Sequence, residues 1–327
     1  MTIPATLQQV VQIGVETTPG TAVAANKLLQ AVEIAPGIKA NVQSFRPRGA
    51  KFPTVAALGR NWTEAKIGGQ AVYTDIVYLL AGILAYQAPT QQGTSQAYKW
   101  TFTPDQSAAD TIKTFTIEHG SAVRAGKFSY GLVNSFGLKF DRSQAEFSGS
   151  MLGQNYQDGI SLTTSPTAIE PVPILPMHID VFLDDSAAEI GTTKIEMENL
   201  QGSFEISDRF GAVWPINSSL SSFGAHVETV PKTTLKLFLA ANAIGMSPLA
   251  AMQNGDKRWI RIKATGPVAD TTYNYSFQLD ICGTVTEVGE FSDQDGVYAL
   301  EWTFQATYDA AWGKALSCEV INKLSTL

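Results

Sequence analysis

The sequence predicts a mainly β fold made of two tandem copies of one pattern. Three observations carry this. Val297 to Tyr308 alternates as a strand, with Tyr298, Leu300, Trp302, Phe304 and Ala306 on one face and Glu301, Thr303, Gln305 and Thr307 on the other. Period two marks a strand with one buried and one wet face. The same object occurs earlier, where Phe136, Leu138 and Phe140 lead through the turn Asp141-Arg142-Ser143-Gln144 into Ala145, Phe147, Gly149 and Met151, alternating with Glu146, Ser148 and Ser150. Finally, each half reads in one order: strands, one helix, two strands, a long hairpin.

The chain has 327 residues, enough for two domains of about 100–200 residues each. Only 16% of residues are charged, against about 25% in soluble domains, while 44% are hydrophobic. The polar surface is therefore largely Thr, Ser, Gln and Asn, which suits strands with neutral exposed faces and extensive burial in an assembly. The net charge of −7 comes without a basic run, which excludes a protein that grips nucleic-acid backbone. Cys282 and Cys318 lack CxxC spacing and read as thiols of a reducing compartment. MTIPATLQQV has neither a basic nor an apolar signal region, so no signal peptide is expected. The longest apolar run, Ile76 to Ala85, falls short of the ~20 residues of a membrane helix.

Residues 1–30 read as an arm with a short strand at Gln12 to Val15 and turn chemistry at Thr17-Thr18-Pro19-Gly20. Strands follow at Leu28 to Ile34, Asn41 to Phe45 and Trp62 to Val72, the last kinked at Gly68-Gly69. Arg46-Pro47-Arg48-Gly49 is a loop. Thr74 as N-cap and Asp75 in the first turn start a helix through Ala85 that is apolar all round, hence sandwiched. A polar, Gly- and Pro-punctuated excursion at 87–98, a strand from Tyr98 to Thr103 and a loop from Asp105 to Asp110 form an insertion. Strands at 112–118 and 127–133 lead to the first hairpin.

Residues 159–176 contain Gly159, Pro166, Pro171, Pro173 and Pro176 and form the best linker. The expected organisation is an arm at 1–30, a first domain at 31–165 with its insertion at about 87–110, and a second domain at 166–327. The second half starts with strands at His178 to Leu183, Lys194 to Asp208 and Thr233 to Leu239. Ser247 then caps a helix with Pro248 at its first position, through Gln253. Strands at Trp259 to Ala264 and Tyr273 to Cys282 precede the closing hairpin, whose turn is Ser292 to Gly296.

Catalytic patterns are missing. His119, His178 and His226 are scattered without metal-ligand spacing. There is no nucleophile elbow, P-loop or dinucleotide fingerprint. Asp293-Gln294-Asp295-Gly296 has Phe291 where a calcium loop needs an acid, and reads as a hairpin turn. Asn61-Trp62-Thr63 and Asn217-Ser218-Ser219 fit a glycosylation sequon without a secretory context, and Asp184-Asp185 is a loop pair. No cofactor and no metal is expected.

The arm Gln12-Ile13-Gly14-Val15-Glu16-Thr17-Thr18-Pro19-Gly20-Thr21-Ala22 carries a GxExTxGT start. With the β-rich duplicated chain behind it and the ending Tyr308-Asp309 plus a short tail, it resembles the tail tube (major tail) proteins of long-tailed bacteriophages. The resemblance implies tandem β-sandwich or split-barrel tube domains, each with a flanking short helix. It implies a structural, non-enzymatic virion protein whose stacked rings conduct DNA during ejection. The implied partners are the chain itself, a tape measure protein and tail terminator or tail tip proteins.

Within that frame Glu146, Ser148, Ser150, Glu301, Thr303, Gln305 and Thr307 are expected to line the channel. Gln12, Val15, Glu16, Thr18, Pro19, Gln91, Gln92 and Thr94 are expected at ring-to-ring contacts. Three chains of two units, with about four strands each, would make a pseudo-hexameric ring of about 24 strands. A β-sandwich binding module of a particle, for a receptor or carbohydrate, is the alternative; it would show aromatic platforms on loops, whereas Trp62, Trp100, Trp259 and Trp302 fall in strands. An outer-membrane barrel also alternates but needs a signal peptide, and an enzyme has the least support.

Overall fold

The computed structural model describes residues 6–294 and 296–327; Asp295 of the closing turn lies outside them. The first half contains β1 (Val10–Val15), β2 (Lys27–Leu29), β3 (Val32–Phe45), β4 (Val55–Gln70), α1 (Ile76–Ile83), β5 (Thr90–Gln91), β6 (Tyr98–Phe102), β7 (Phe115–Gly120), β8 (Ala125–Phe140), β9 (Ala145–Gly153), β10 (Gln157–Ile160) and β11 (Thr167–Ala168). The second contains β12 (Ile179–Asp184), β13 (Lys194–Ile195), β14 (Asn199–Ser207), β15 (Phe210–Val213), β16 (Ala225–Glu228), β17 (Lys232–Ala240), α2 (Pro248–Asn254), β18 (Lys257–Asp270), β19 (Tyr273–Val288), β20 (Ser292–Gln294), β21 (Val297–Ala306) and β22 (Leu316–Asn322). The chain is mainly β, as its alternation predicts.

Two of the three 16-residue strands, β8 and β19, organise everything else. Each serves two sheets in turn. The first part of β8 pairs with β7 and β10, its later part with β9, and β9 continues to β4 and β3. The first part of β19 pairs with β18 and β22, its later part with β21, and β21 continues to β17 and β14. Outside these, β1 pairs with β7 as β12 pairs with β18. Even the irregularities match. The β8–β9 ladder shifts register between Val133 and Ser135, and the β19–β21 ladder between Val285 and Glu287. The two halves therefore repeat one ladder order, with the bulge at the point where the long strand changes sheets.

The halves join edge to edge. β14 pairs antiparallel with β8, which makes one continuous sheet in the order β3-β4-β9-β8-β14-β17-β21-β19. Its inner face is apolar across the junction. Phe147, Leu138, Phe204, Leu235 and Phe304 lie directly opposite one another in successive strands, and all are buried. Burying each such side chain contributes about 1.5–3 kcal/mol.

The halves are also lashed together. β6 of the first half pairs with β22, so the insertion completes a sheet of the second half. Trp100 Nε1 donates to Asn322 Oδ1 at 2.9 Å, and Lys99 meets Glu319 at 2.8 Å. In return, the connection between β14 and β17 folds over the first half. Gln154 Nε2 donates to the Phe223 carbonyl at 2.8 Å, and Trp214 meets Trp62 edge-on at 5.5 Å between ring centroids.

Helix α1 is buried over its whole length, as its all-round apolar sequence requires. Its start differs from expectation. The helix begins at Ile76, and Thr74 Oγ1 donates instead to the Glu170 carbonyl at 3.0 Å. Asp75 is fully buried and accepts the Ala31 N–H at 3.1 Å, so these polar groups tie the helix to its neighbours rather than cap it. Helix α2 starts at Pro248 as predicted and ends at Asn254, capped by Gly255, whose φ of 74° suits glycine.

One large feature departs from the expected pair of strands within residues 28–45 and the third beginning at Trp62. In the structure β3 and β4 form one hairpin whose ladder runs out to Phe45 opposite Val55. Ala-Pro-Gly at 35–37 and Gly59 interrupt the alternation. The outer half also has no buried face, so it has no hydrophobic period to read.

Candidate assembly surface

The outer face of the eight-strand sheet is polar. Residues directly opposite in a ladder share a face, so rows can be traced across it. One row runs Gln70, Glu146, Lys139, Ser203, Lys236, Thr303, Glu287. The next runs Glu33, Gly68, Ser148, Gly137, Glu205, Thr234, Gln305, Thr284. The expected channel residues of both halves thus fall on one face of one sheet: Glu146 shares a row with Thr303, and Ser148 with Gln305. Glu146, Ser148 and Gln305 are exposed; Ser150, Glu301 and Thr307 are half-buried. Thr303 is buried between Lys236 and Glu287 and presents little surface. Thr307 lies just past β21, its hydroxyl 3.0 Å from that of Thr284.

The face also carries cations. Lys39, Lys66, Lys139, Lys232 and Lys236 lie on it, interleaved with Glu33, Glu64, Glu146, Glu205, Glu287 and Glu301. Alternation within β9 or β21 says nothing about what β4, β8 and β17 place beside them. Lys236 meets Glu301 at 2.7 Å, and that hydrogen bond raises the lysine pKa; Lys39 meets Glu64 at 3.7 Å. Carboxylates outnumber lysines on the face, which leaves a mildly acidic wall.

The arm occupies a different place from the one expected. β1 is a sheet strand between β2 and β7. Gln12 and Glu16 are 4% and 3% exposed and present almost no surface to another copy; Val15 is half-buried opposite Phe115, and of the contacts expected on the arm only Thr18 and Pro19 reach solvent. The Glu16 carboxylate accepts four hydrogen bonds, from Gly20 N–H, Tyr130 N–H and the hydroxyls of Thr114 and Thr116, at 2.8–3.0 Å. Gly14 has no room for a side chain, since a Cβ would lie 2.4 Å from the Ala24 carbonyl oxygen. Gly20 sits at φ +81°. The GxExTxGT stretch is therefore a clamp inside the subunit. Asp184, at the end of β12, plays the corresponding part in the second half and accepts from Gly191 N–H, Thr193 N–H and the Thr192 hydroxyl.

In the excursion Gln91 and Thr94 are exposed, while Gln92 is half-buried and donates its N–H to the Ala97 carbonyl at 2.8 Å. The large exposed apolar surface lies instead on the outer β3–β4 hairpin, at Ile38, Val42, Phe45, Phe52, Val55 and Leu58, each more than half exposed.

The remaining polar clusters are structural. Each histidine faces a tyrosine hydroxyl: His119 that of Tyr156 at 2.7 Å, His226 that of Tyr130 at 3.0 Å, and His178 that of Tyr73 at 3.3 Å. Burial lowers the pKa of His119 and of His226. Buried Arg209 pairs with the buried Asp110 carboxylate and with half-buried Glu228, and donates to the Ile83 carbonyl at the end of α1. Among the described residues no group of three or more His, Cys, Asp or Glu is placed to hold a metal ion, and no helix is long and apolar enough to cross a membrane.

A family model described as "Phage tail tube protein" matches residues 6–212, more than half of the chain. No curated protein matches it.

Proposed function

Because the chain belongs to the phage tail tube protein family, a structural family of the virion tail, we propose that it builds the tube itself as stacked rings of three copies, and that DNA passes through the bore during ejection. One observation carries this reading: eight strands form a single sheet with a polar outer face, an apolar inner face and an open edge at each end. An amphipathic sheet with two free edges is a ring segment, and closing the ring removes the edges. Each half, divided within 159–176, supplies four strands.

Three copies give about 24 strands. At ~4.8 Å spacing and ~40° tilt these enclose a ring about 48 Å across between backbones, wide enough for a duplex after side chains. Six copies would double that, far beyond what a duplex needs. The mildly acidic rows through Glu146 and Gln305 would face the bore, where carboxylates beside paired lysines give phosphate little to hold. The β3–β4 hairpin, with its exposed apolar side chains, would take the ring-to-ring contacts in place of the arm. Tape measure, terminator and tip proteins would meet the tube through its bore and its ends. Synthesis in the host cytoplasm fits two reduced, buried cysteines.

Electron microscopy of the purified protein, alone and with tail extract as initiator, tests this. Three chains per ring with the polar face inward is the expected result. A monomer that never polymerises but binds a receptor or a glycan would favour the binding-module reading instead.

A further inference from the structure

The ring reading requires a seam between copies, and the chain contains a template for it. Inside the chain, β8 of the first half holds β14 of the second, with Phe136 opposite Ile206 and Gly137 opposite Glu205. Phe136 and Ile206 are each 1% exposed.

The repeated ladders identify the counterparts of all four residues. Phe136 lies in a row with Gly149, Ile67 and Ile34. The same row in the second half is Val288, Trp302, Leu237 and Gly202. Val288 therefore corresponds to Phe136, and Gly289 to Gly137. The correspondence extends to hydrogen bonding, because Gly137 pairs with Ser148 and Gly289 donates its N–H to the Glu301 carbonyl at 2.7 Å. Counting along β3 and β14 in the same way, Ile38 corresponds to Ile206 and Gly37 to Glu205.

These counterparts sit on open edges. Among the described residues, the β19 edge that holds β18 has no ladder partner beyond Thr284, and β3 pairs only with β4. Ile38 is 64% exposed, where its counterpart Ile206 is buried.

We propose that Val288 and Gly289 of one copy receive Ile38 and Gly37 of a second copy, antiparallel, in the register that Phe136 and Gly137 hold with Ile206 and Glu205. This rests on the ring reading and adds its register. The seam then covers Ile38 as the internal junction covers Ile206, and repeating it around three copies closes the sheet without a new kind of contact. The match is confined to these two pairs, because the second hairpin gains a residue between Val288 and Ser292 relative to β21.

The test is disulfide trapping in assembled full-length protein with the double variant Ile38→Cys, Val288→Cys. Directly opposite strand residues have Cβ atoms about 4.5–5.5 Å apart, close enough to bridge after a small shift. The native thiols are buried and burial raises both pKa values, Cys282 to about 11, so background exchange is low. Covalent species up to the trimer and no larger are expected without reductant. The off-register pair Ile38→Cys, Glu290→Cys should give at least about fivefold less. Rings that form normally but bridge better off register, or not at all, overturn the seam and leave the tube standing. Absence of rings in the unmodified protein overturns both. Ile38→Glu checks the seam without new thiols: at an exposed position it should unfold at the parent temperature and fail to close rings, and normal rings from it would refute the register.

Discussion

Tyr130 N–H donates to Glu16 Oε1 at 2.8 Å, across 114 residues of sequence. Tyr130 stands at φ 56°, a left-handed conformation that costs a bulky residue roughly 1–3 kcal/mol, at the point where β8 leaves β7 for β9. The carboxylate takes up the amide that this corner turns away from its ladders. Glu16→Ala should therefore destabilise the chain by about 3 kcal/mol or more, since it strands several buried donors at about 1–3 kcal/mol each. Glu16→Gln keeps one acceptor oxygen and should cost less. Chemical denaturation of the three proteins measures it, and equal stabilities would show the clamp to be inert. For the same reason, removing residues 1–20, which takes away β1 and the Glu16 carboxylate, should unfold the first half.

Arg209 predicts a second large effect. It is 5% exposed and pairs with Asp110 from the insertion and Glu228 from β16, while its Nε holds the Ile83 carbonyl. Burial raises the Asp110 pKa, and the guanidinium opposes that shift. Arg209→Met leaves two carboxylates without their cation. A loss of about 3–5 kcal/mol is expected. Adding Asp110→Asn to the variant should recover part of it, and a double-mutant cycle reads the coupling.

Most of the sheet was legible because its inner residues are buried on one side only. Phe136, Leu138, Phe147, Trp302 and Phe304 each announced a strand by alternating with polar neighbours. The two helices were legible through their apolar run and through Pro248. The β14–β8 junction was not, because a ladder between halves leaves no local signal in either strand. The outer β3–β4 hairpin was missed because both its faces are wet. Glu16 was misplaced for the opposite reason: a buried carboxylate reads as surface until its donors Thr114, Thr116 and Tyr130 are brought to it by the fold.

Stability should fall on acidification. Burial lowers the folded-state pKa of His119 and His226, the latter against the opposing charge of Glu228. Below about pH 6.5 the unfolded chain then binds protons that the folded chain refuses, so stability is present above that pH and is lost as pH drops through it. Melting temperatures measured at pH 7.5 and 5.5 should differ in that direction. His119→Gln and His226→Gln should flatten the dependence, and an unchanged slope in the double variant would assign it to other groups.

The wall charge makes a prediction about DNA. Glu146→Lys with Gln305→Lys adds cations to two adjacent rows without touching the buried face. Tubes should still form. If those rows face the bore, ejection should slow and regain speed with added salt, because each new phosphate contact steepens the salt dependence. Unchanged ejection from such tubes would place the rows elsewhere.

The outer hairpin and the seam can be separated. The β14–β17 connection, 208–231, is folded over the first half, where Asn61 N–H donates to the Ser221 carbonyl at 3.0 Å and Tyr130 packs on Phe223 with ring centroids 4.9 Å apart. Its counterpart, the outer β3–β4 hairpin, carries Val42, Phe45, Phe52, Val55 and Leu58 into solvent, each more than half exposed among the described residues. Exposed apolar surface on a regular two-stranded ladder is a docking element in search of a neighbour. Replacing residues 42–58 by a two-residue Asn-Gly turn, which suits a tight hairpin, should leave the subunit folded with an unchanged melting temperature. Ile38 and Gly37 remain, so single rings should still close. Stacking into long tubes should fail. Sedimentation and negative-stain images of that variant decide the matter: isolated rings support the hairpin as the ring-to-ring contact, normal tubes refute it, and monomers would move the hairpin into the seam itself.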